Sequence, residues 1–407
     1  MHILFLTDNF PPEGNAPASR TFEHARRWVE EGCYVTVITG APNVPEGKVY
    51  GGYKNLWYQK EFMDGIEVRR VKTYITANEG FSRRTLDYLS YMVTGFVAGL
   101  FVRKVDVIVA TSPQFFTACA GWMLSVFKWK PFVFELRDIW PASIQAVGAA
   151  KNRLLFSMLE GLELFLYRRA ALVVSVTNSF KEELIGRGIP GDKIQVVVNG
   201  VDQEIYKPMP KDPGLLEKYD LEGKFVAGYI GTIGMAHSVE TIVEAAALLQ
   251  AQDDIVLLIV GGGAESESIR ELILERELGN IRFLGRQDKK LVPAIWSLCD
   301  VSIVHLKDTP LFSKVIPSKI FECFAMGIPI ILGLPEGEAS EIIRNTDTGM
   351  KIKPESASDI AGAIVSLKKD NESRERFKNN ALEAATHYSR DKKALDMLGA
   401  LKKVNIK

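Results

Sequence analysis

The stretch MHILFLTDNFPPEGNAPASRTFEHARRWVEEGCYVTVIT, residues 1–39, decides the fold class. It opens with a short apolar run, HILFLT, which is typical of a buried strand. A turn-rich loop leads into FEHARRWVEE, whose apolar residues recur at helical spacing, and CYVTVIT is rich in β-branched residues. A strand, a loop, a helix and a second strand in this order indicate a parallel, doubly wound sheet.

The same alternation of apolar runs and helical segments continues along the chain. Prolines among charged residues at 208–213 are typical of a linker, and KFVAGYIGTIG then begins a second α/β series. Further strands and a helix of the first half are predicted at residues 105–111, 131–136, 171–176 and 194–198, and at 151–169.

This pattern predicts an α/β chain with two Rossmann-like, doubly wound parallel-sheet domains, residues 1–205 and 206–385. A C-terminal helix, residues 386–407, is expected to pack back on the first domain. Ligands of open parallel sheets bind beyond the carboxyl ends of the strands. We therefore expect the binding site in a cleft that the two domains face.

Composition limits the functional classes. The chain has 407 residues, more than one ordinary domain of ~150 residues holds. Its 47% hydrophobic and 25% charged residues are typical of a soluble globular protein, and a net charge of zero does not favour binding to nucleic acid. The N-terminus lacks the basic region of a signal peptide, so a cytoplasmic protein is predicted.

Cysteine and histidine spacing does not favour a metal site. The four cysteines lie in apolar stretches without a CxxC motif, and the five histidines form no HxxxH or HExxH pair. Buried thiols in a reducing compartment and no protein-bound metal or cofactor are expected.

One apolar run, YLSYMVTGFVAGLFV at residues 88–102, carries no charge but is too short to span a membrane as a helix. The first interpretation is a buried helix. The alternative is a helix in the membrane interface, because Arg83, Arg84, Arg103 and Lys104 flank the run. Peripheral contact with the inner face of the cytoplasmic membrane would then follow.

Three glycine-containing loops each follow a predicted strand and precede a helix. GTIG contains Gly231 and Gly234, GGGAES spans residues 261–266, and the opening loop holds Gly14 and Asn15. Glycine lets the backbone approach a phosphate, and a helix start offers unpaired N–H groups. Ordinary turns between strand and helix are the alternative for each loop.

RDIWP, residues 137–141, follows the strand PFVFEL. Arg137, Asp138 and Trp140 should therefore lie at the carboxyl end of a strand, on the side of the expected cleft. We expect Asn15, Arg137 and Trp140 to contact a ligand in this cleft. The alternative is a local salt bridge between Arg137 and Asp138 that caps the next helix.

PSKIFECFAMGIPII, residues 317–331, places two charges in a mostly apolar segment. Ser318 is a good residue to begin a helix, but Lys319 in the first turn is unfavourable for the helix dipole. A phosphate bound at the same helix end would explain the cation. Glu322 shares the face of Lys319 and is suited to accept hydrogen bonds from ribose hydroxyls, although the two side chains could instead pair.

GEASEII, residues 337–343, follows the apolar run PIIL and begins another helix. Its N–H groups could hold a diphosphate and its acids could bind sugar hydroxyls; acids in an ordinary first helical turn are the alternative. The candidate contacts of this block to a diphosphate or a sugar are Gly337, Glu338, Ala339, Ser340 and Glu341.

These motifs together resemble retaining family 4 glycosyltransferases of the GT-B fold, and the resemblance covers nearly the whole chain. Its motifs are FPPEGNAPASR, ELRDIWP, VVVNGVD, GYIGTIG, FLGR, PSKIFECFAMGIPII and GEASEIIRNTDTG. Within the family the pattern resembles fucosamine-type transferases of bacterial polysaccharide (O-antigen or capsule) assembly.

The resemblance implies a UDP-sugar donor, carrying an N-acetylated or deoxy-amino hexose, and no metal. It implies a ribose contact for Glu322, diphosphate contacts for Lys319 and the GEASE block, and a position near the transferred sugar for Asp138. Arg286, in FLGR, is a further diphosphate candidate. Lys319 and Asp138 are the candidate catalytic residues.

Two departures from the family pattern bear on the donor. Lys314 stands where the family has the first glutamate of its E-x7-E motif, and Ala236-His237-Ser238 replaces a basic residue after GTIG. Lys314 could therefore join the phosphate contacts. The implied acceptor of the sugar is a glycan or a polyprenyl-diphosphate-linked saccharide, with Asn15, Arg137 and Trp140 as its candidate contacts. The alternative functions are a nucleotide-sugar 2-epimerase and a non-catalytic nucleotide-sugar-binding protein.

Overall fold

The computed structural model describes residues 1–44, 46–76, 81–112, 114–139 and 153–405. The chain divides into two compact units. Unit 1 comprises Met1–Val198 and Arg390–Lys407, and unit 2 comprises Asn199–Ser389. The sequence analysis placed these divisions at residues 205 and 386.

Unit 1 is built on an eight-stranded sheet with the order β3-β4-β2-β1-β5-β6-β7-β8. All neighbouring strands are parallel except β3 and β4. The strands are β1 (His2–Leu6), β2 (Tyr34–Gly40), β3 (Tyr58–Met63), β4 (Ile66–Val71), β5 (Val107–Thr111), β6 (Phe132–Leu136), β7 (Leu172–Ser175) and β8 (Ile194–Val196).

The β3–β4 hairpin adds an antiparallel edge strand to the otherwise parallel sheet of unit 1. Met63 pairs with Ile66, so only Asp64 and Gly65 form the loop, with φ angles of 47° and 79°. Asp-Gly is a preferred pair for a two-residue hairpin turn that needs positive φ at both positions. The sequence carried this signal for a hairpin, and the sequence analysis did not use it.

Helices cover both faces of the sheet in unit 1. They are α1 (Ala16–Glu30), α2 (Phe81–Leu100), α3 (Phe115–Lys128), α4 (Arg153–Arg169), α5 (Asn178–Gly186) and α14 (Arg390–Asn405). Helices α2 to α5 share one apolar core with the sheet, and α1 and α14 share the other. Trp28 of α1 donates from Nε1 to the Ala394 carbonyl at 2.8 Å, so the C-terminal helix is part of this unit.

Unit 2 has a six-stranded parallel sheet with the order β11-β10-β9-β12-β13-β14. Its strands are β9 (Phe225–Ile230), β10 (Ile255–Val260), β11 (Ile281–Gly285), β12 (Val301–His305), β13 (Ile330–Gly333) and β14 (Gly349–Lys351). Its helices are α6 (Pro213–Lys218), α7 (Val239–Leu248), α8 (Ser266–Glu275), α9 (Val292–Ser297), α10 (Lys319–Met326), α11 (Glu338–Thr346), α12 (Ala357–Lys369) and α13 (Asn371–His387).

The predicted α/β class with two Rossmann-like domains is therefore confirmed. In both units the strand order changes direction between two strands that are not consecutive in the chain, which is where such sheets bind ligands. Within the described residues, no helix is long and apolar enough to cross a membrane.

Candidate functional site

Glycine brings two loops of unit 2 into backbone contact at the carboxyl ends of β9 and β10. A Cβ atom on Gly261 would lie 1.7 Å from the carbonyl oxygen of Gly231, and one on Gly263 would lie 2.2 Å from that of Ile233. Ile233 also donates its N–H to the Gly262 carbonyl at 3.0 Å. Any side chain at 261 or 263 would separate the loops, so the two glycine motifs form one surface.

Lys319 is the first residue of α10, and its ammonium group lies against this surface. A Cβ atom on Gly231 would be 2.8 Å from Lys319 Nζ, so a side chain there would displace the lysine ammonium. The Nζ atom also lies 3.9 Å from the centre of the Tyr229 ring. It is buried and has no hydrogen-bond partner among the residues that the structure describes.

This burial has an electrostatic consequence. Desolvation lowers the pKa of Lys319 to about 8, and the nearby Cys323 and Glu322 oppose the shift only in part. A buried ammonium without hydrogen bonds is costly unless an anion joins it. The alternative, a hydrogen bond between Lys319 and Glu322, is not formed, because Nζ makes none to the described residues.

Glu322 is held from another helix. Its Oε2 accepts a hydrogen bond from Nε1 of Trp296, which is fully buried in α9, at 3.1 Å. This contact fixes the carboxylate one helical turn from Lys319, because residues three apart lie on the same face of a helix. Neither Trp296 nor Tyr229 was singled out from the sequence.

Two histidines lie beside Lys319 and differ in their hydrogen bonds. His305 Nδ1 lies 2.9 Å from the His237 carbonyl, and its Nε2 accepts from the Glu355 N–H at 2.9 Å, so both nitrogens are used and the ring is neutral. His237 Nδ1 lies 3.3 Å from the Gly234 carbonyl. Burial, and then the charge of Lys319, lower the pKa of His237 to about 4.

Gly337 lies where two segments with predicted donor contacts meet, the turn before α10 and the start of α11. A Cβ atom on Gly337 would lie 1.8 Å from the carbonyl oxygen of Ser313, so the turn Phe312–Lys314 packs against the start of α11. Lys314 and Glu338 are therefore on neighbouring segments.

Ser340 performs a structural task in that block. Its hydroxyl accepts the Gly337 N–H at 3.0 Å and lies 2.9 Å from a Glu336 carboxylate oxygen, and the residue is buried. Ala339 is buried as well, whereas Glu341 is exposed on the outside of α11. Glu336, which the sequence analysis passed over, also pairs with Arg344 and Lys351.

Arg286 and Ser318 complete the predicted donor set. Arg286 follows β11 and is exposed. A Cβ atom placed on Gly262 would lie 3.5 Å from the Cβ atom of Arg286. Ser318 precedes α10 but makes no side-chain cap hydrogen bond. The structure thus gathers Gly231, Arg286 and Lys319 around the two glycine loops, with Gly234 next to His237.

In unit 1 the predicted acceptor contacts have local roles. Asn15 Oδ1 accepts the Ala18 N–H at 2.9 Å and so caps α1, while Gly14 is exposed beside it. Glu13 is buried and accepts the N–H groups of Asn43 and Val44. The Glu13 carboxylate therefore holds the long first loop against the segment that follows β2.

Arg137 belongs to a buried charge cluster at the end of β6. It donates to the Pro17 carbonyl at 3.2 Å, and Glu135 partly offsets the burial that lowers its pKa to about 10. Arg20 forms a salt bridge with Glu135 at 2.9 Å. Asp138 N–H lies 3.3 Å from Ser112 Oγ. Trp140 lies outside the described residues.

Carboxylates also meet at the end of β1. Burial raises the pKa of Asp8 well above its usual range, with further contributions from Asp87 and Glu13, and raises the pKa of Asp87 to about 7. Asp8 follows β1 directly, as Asp138 follows β6, which is a signal that sequence reasoning could have used. Within the described residues, no group of acids, histidines and cysteines has the arrangement of a metal site.

Known proteins match the two units separately. Residues 18–205 match the family described as Glycosyltransferase Family 4, and residues 215–384 match that described as Glycosyl transferases group 1. The chain is 28% identical over 211 residues to a putative teichuronic acid biosynthesis glycosyltransferase of Bacillus subtilis, covering 51% of each chain. It is 23% identical over 335 residues to a putative colanic acid biosynthesis glycosyl transferase of Escherichia coli, covering 80% of this chain and 82% of the relative.

This chain spans only about half the length of the first two curated relatives that it matches, 51% of one and 56% of the other. Solved structures match nearly end to end. Sucrose-phosphate synthase from Thermosynechococcus elongatus gives a TM-score of 0.78 at 16% identity, covering 99% of this chain and 98% of that one. The Anabaena protein HepE in complex with UDP gives 0.71 at 17% identity, covering 99% and 100%. These likenesses show the fold. Each half of the chain is thus similar to one glycosyltransferase family, family 4 over residues 18–205 and group 1 over residues 215–384, and the fold is that of GT-B glycosyltransferases.

Proposed function

We propose that the chain transfers a sugar from a nucleoside diphosphate sugar to a hydroxyl of a glycan acceptor in bacterial cell-surface polysaccharide synthesis. The observation that carries the donor class is the buried Lys319 ammonium, which has no hydrogen-bond partner in the described structure. It lies at the start of a helix and beside two glycine loops, where no Cβ atom keeps a phosphate away from the backbone. A diphosphate supplies the missing counter-charge.

The donor we propose is UDP-linked. HepE, with the same fold, has been solved with UDP and with UDP-glucose. In the proposed complex Glu322, oriented by Trp296, accepts hydrogen bonds from the ribose hydroxyls. The N-acetylated or deoxy-amino hexose expected from the sequence remains our proposal for the sugar. An N-acetylglucosaminyl and a kanosaminyl transferase among the relatives support it.

The mechanism we propose retains the configuration at the anomeric carbon. The bond from this carbon to the donor phosphate oxygen breaks as the acceptor oxygen forms its bond on the same face. The acceptor proton passes to the leaving phosphate oxygen or to a carboxylate, for which Asp138 is our candidate. Negative charge grows on the diphosphate in this step, and a preorganised cation stabilises it most where water is excluded.

Lys319 supplies that cation in the proposal, with Arg286, Lys314 and the starts of α10 and α11 around it. The charges are then sufficient for transfer without a metal ion. His237 is neutral near pH 7 in the free site, because its pKa is lowered to about 4, and so cannot replace the basic residue of related enzymes without taking up a proton.

The acceptor in our proposal is a glycan, or a saccharide linked to a polyprenyl diphosphate, bound by unit 1. Relatives named for teichuronic acid and colanic acid biosynthesis support a polysaccharide pathway. Arg137 and the neighbouring end of β6 are the proposed contacts. Asn15 has its side chain committed to a helix cap, which leaves its backbone for that role.

A donor screen followed by product analysis tests the function. UDP-sugars should raise the melting temperature of the protein, because a ligand that binds only the native state stabilises it. With the stabilising donor, transfer to an added lipid-linked saccharide supports the proposal. Conversion of the donor without acceptor would indicate an epimerase, and binding without conversion across acceptors would indicate a non-catalytic protein.

A further inference from the structure

The shared end of α2 and α3 in unit 1 exposes large aromatic side chains. Phe101 is 73% exposed, Phe127 is 67% exposed and Trp129 is 91% exposed. Most large apolar residues of a soluble domain lie inside, and a cluster at the surface usually marks a contact with a partner or a membrane. We name the two segments, residues 100–105 and 126–131, the aromatic end.

The aromatic end is held as one surface. Lys128 donates from Nζ to the carbonyls of Leu100 and Val102, at 3.0 and 2.7 Å, and so ties the end of α3 to the end of α2. Phe127 also packs edge-on against Phe96 of α2, with ring centres 5.4 Å apart. Both contacts keep the exposed rings together.

The charges of the aromatic end have one sign. Its two segments read LFVRKV and VFKWKP and contain Arg103, Lys104, Lys128 and Lys130 but no acidic residue. Arg103, Lys104 and Lys130 are exposed. Aromatic rings with lysine and arginine beside them are the composition of protein surfaces that lie at the headgroup level of anionic bilayers.

An apolar row extends from this end along the outside of α2. Leu86, Val93, Val97 and Leu100 are exposed at spacings of seven, four and three residues, which places them on one face of the helix. The opposite face, with Tyr91 and Ala98, is buried against the sheet. The interpretation of residues 88–102 as a buried helix therefore describes one face of α2, and the other face is exposed.

The neighbouring helix α4 continues the row. Leu154, Met158 and Leu162 are exposed at spacings of four residues. Trp122 of α3 packs edge-on against Phe165 of α4 with ring centres 4.9 Å apart, so the three helices are adjacent. The three helices share one core on one side of the sheet, and their outer apolar residues belong to the outer layer of that side, as does the aromatic end.

We propose that this layer rests on an anionic lipid bilayer, with Phe101, Phe127 and Trp129 inserted at the headgroup level and the exposed Arg103, Lys104 and Lys130 against lipid phosphates. The inference is independent of the donor chemistry, since membrane binding is measured without turnover. Positive charge around the rings favours an anionic bilayer over a second copy of the same, equally basic, surface.

Flotation with vesicles tests the proposal. The full chain should float with phosphatidylglycerol-containing vesicles and much less with pure phosphatidylcholine vesicles. The triple variant Phe101→Ser, Phe127→Ser, Trp129→Ser should bind at least about tenfold more weakly, and Arg103, Lys104 or Lys130 changed singly to Gln should weaken binding about fivefold. Because these side chains are exposed, the melting temperatures should stay unchanged.

A matched control removes equally exposed rings elsewhere. Trp57 and Phe62, on or next to the edge strand β3, are 74% and 66% exposed and lie near Lys72 and Lys60. The variant Trp57→Ser, Phe62→Ser should float like the unmodified protein. Failure of the unmodified protein to float, or equal loss in both variants, overturns the proposal. So does self-association by light scattering that only the triple variant abolishes, because the occupant is then a second copy.

Discussion

The two units differ in how the charges buried near the carboxyl ends of their sheets are paired. In unit 1 Arg20 and Glu135 form a buried salt bridge at 2.9 Å, and the guanidinium also donates to the carbonyls of Val197 and Val198. In unit 2 Lys319 is buried over Tyr229 and makes no hydrogen bond to any described residue. A paired charge holds the chain together, whereas an unpaired one lowers stability until a ligand neutralises it.

Removal of Arg20 should cause the largest loss of stability. Arg20→Met leaves Glu135 buried without its salt-bridge partner, which costs about 3–5 kcal/mol of the free energy of unfolding. Denaturant titration measures the change. The double variant Arg20→Met, Glu135→Leu is the control and should recover most of the loss, since the unpaired carboxylate is gone. A single variant as stable as the unmodified protein would refute a structural role for this pair.

Removal of Lys319 should have the opposite pattern. Lys319→Met keeps the apolar stem, removes an uncompensated buried charge, and should leave the free energy of unfolding unchanged or slightly higher. Turnover with the donor should fall about 10²–10³-fold, because the growing charge on the diphosphate loses its cation. Steady-state kinetics and a thermal melt of the same preparation measure both. Normal turnover, or a large loss of stability, would contradict the comparison.

Nucleotide affinity should depend on pH through Lys319. In the free site its pKa is lowered to about 8, so the ammonium is lost as pH rises through 8, and a bound diphosphate favours the charged form. UDP should therefore bind more weakly above pH 8, by up to about tenfold per pH unit, with uptake of a proton near pH 8. Calorimetry in buffers of different ionisation enthalpy measures the uptake, and Lys319→Met should show neither effect.

The same pKa has a consequence for stability without ligand. A lysine whose folded-state pKa lies below its usual 10.5 opposes folding fully at pH values below about 8. This opposition disappears as pH rises from about 8 towards 10.5, so Lys319 should contribute increasing stability over that window. Comparison of the unmodified protein with Lys319→Met across the window isolates the contribution, and parallel pH profiles would argue against a buried ammonium.

Loss of the Trp296 contact should have the smallest effect. Trp296→Phe removes the indole N–H that holds Glu322 but keeps an aromatic ring in the core. One hydrogen bond to a carboxylate is worth about 1.5–3 kcal/mol at most, so UDP affinity should fall by about tenfold. The turnover number should change less, since Lys319 is untouched. Unchanged affinity for UDP, with unchanged affinity for UMP, would show that Glu322 does not bind the ribose.

Sequence reasoning located Lys319 because a cation in the first turn of a helix needs an explanation. It could not locate Tyr229 or Trp296, because their contacts join strands and helices that are distant in the chain. It also assigned ligand contacts to Asn15 and Ser340, whose side chains instead begin helices α1 and α11. Asn and Ser are residues that local capping uses most, so their presence in a loop does not distinguish the two roles.

Fold prediction succeeded where periodicity extends over many residues. The alternation of strands and helices gave both parallel-sheet domains, but the two-residue Asp64–Gly65 turn that makes β3 antiparallel was overlooked. Exposure was harder still. An uncharged run at 88–102 does not reveal that one face of α2 is buried and the other open, since the helix period must first be placed against the sheet.

Calorimetric titration of UDP into the unmodified protein and into Lys319→Met at pH 7 tests the central claim most directly. The account predicts binding by the unmodified protein and at least about tenfold weaker binding by the variant, because a charge-assisted contact to phosphate is lost. The melting temperature of the free variant should equal or exceed that of the unmodified protein. Equal UDP affinity in the two proteins would contradict the claim that this buried lysine is kept for a diphosphate.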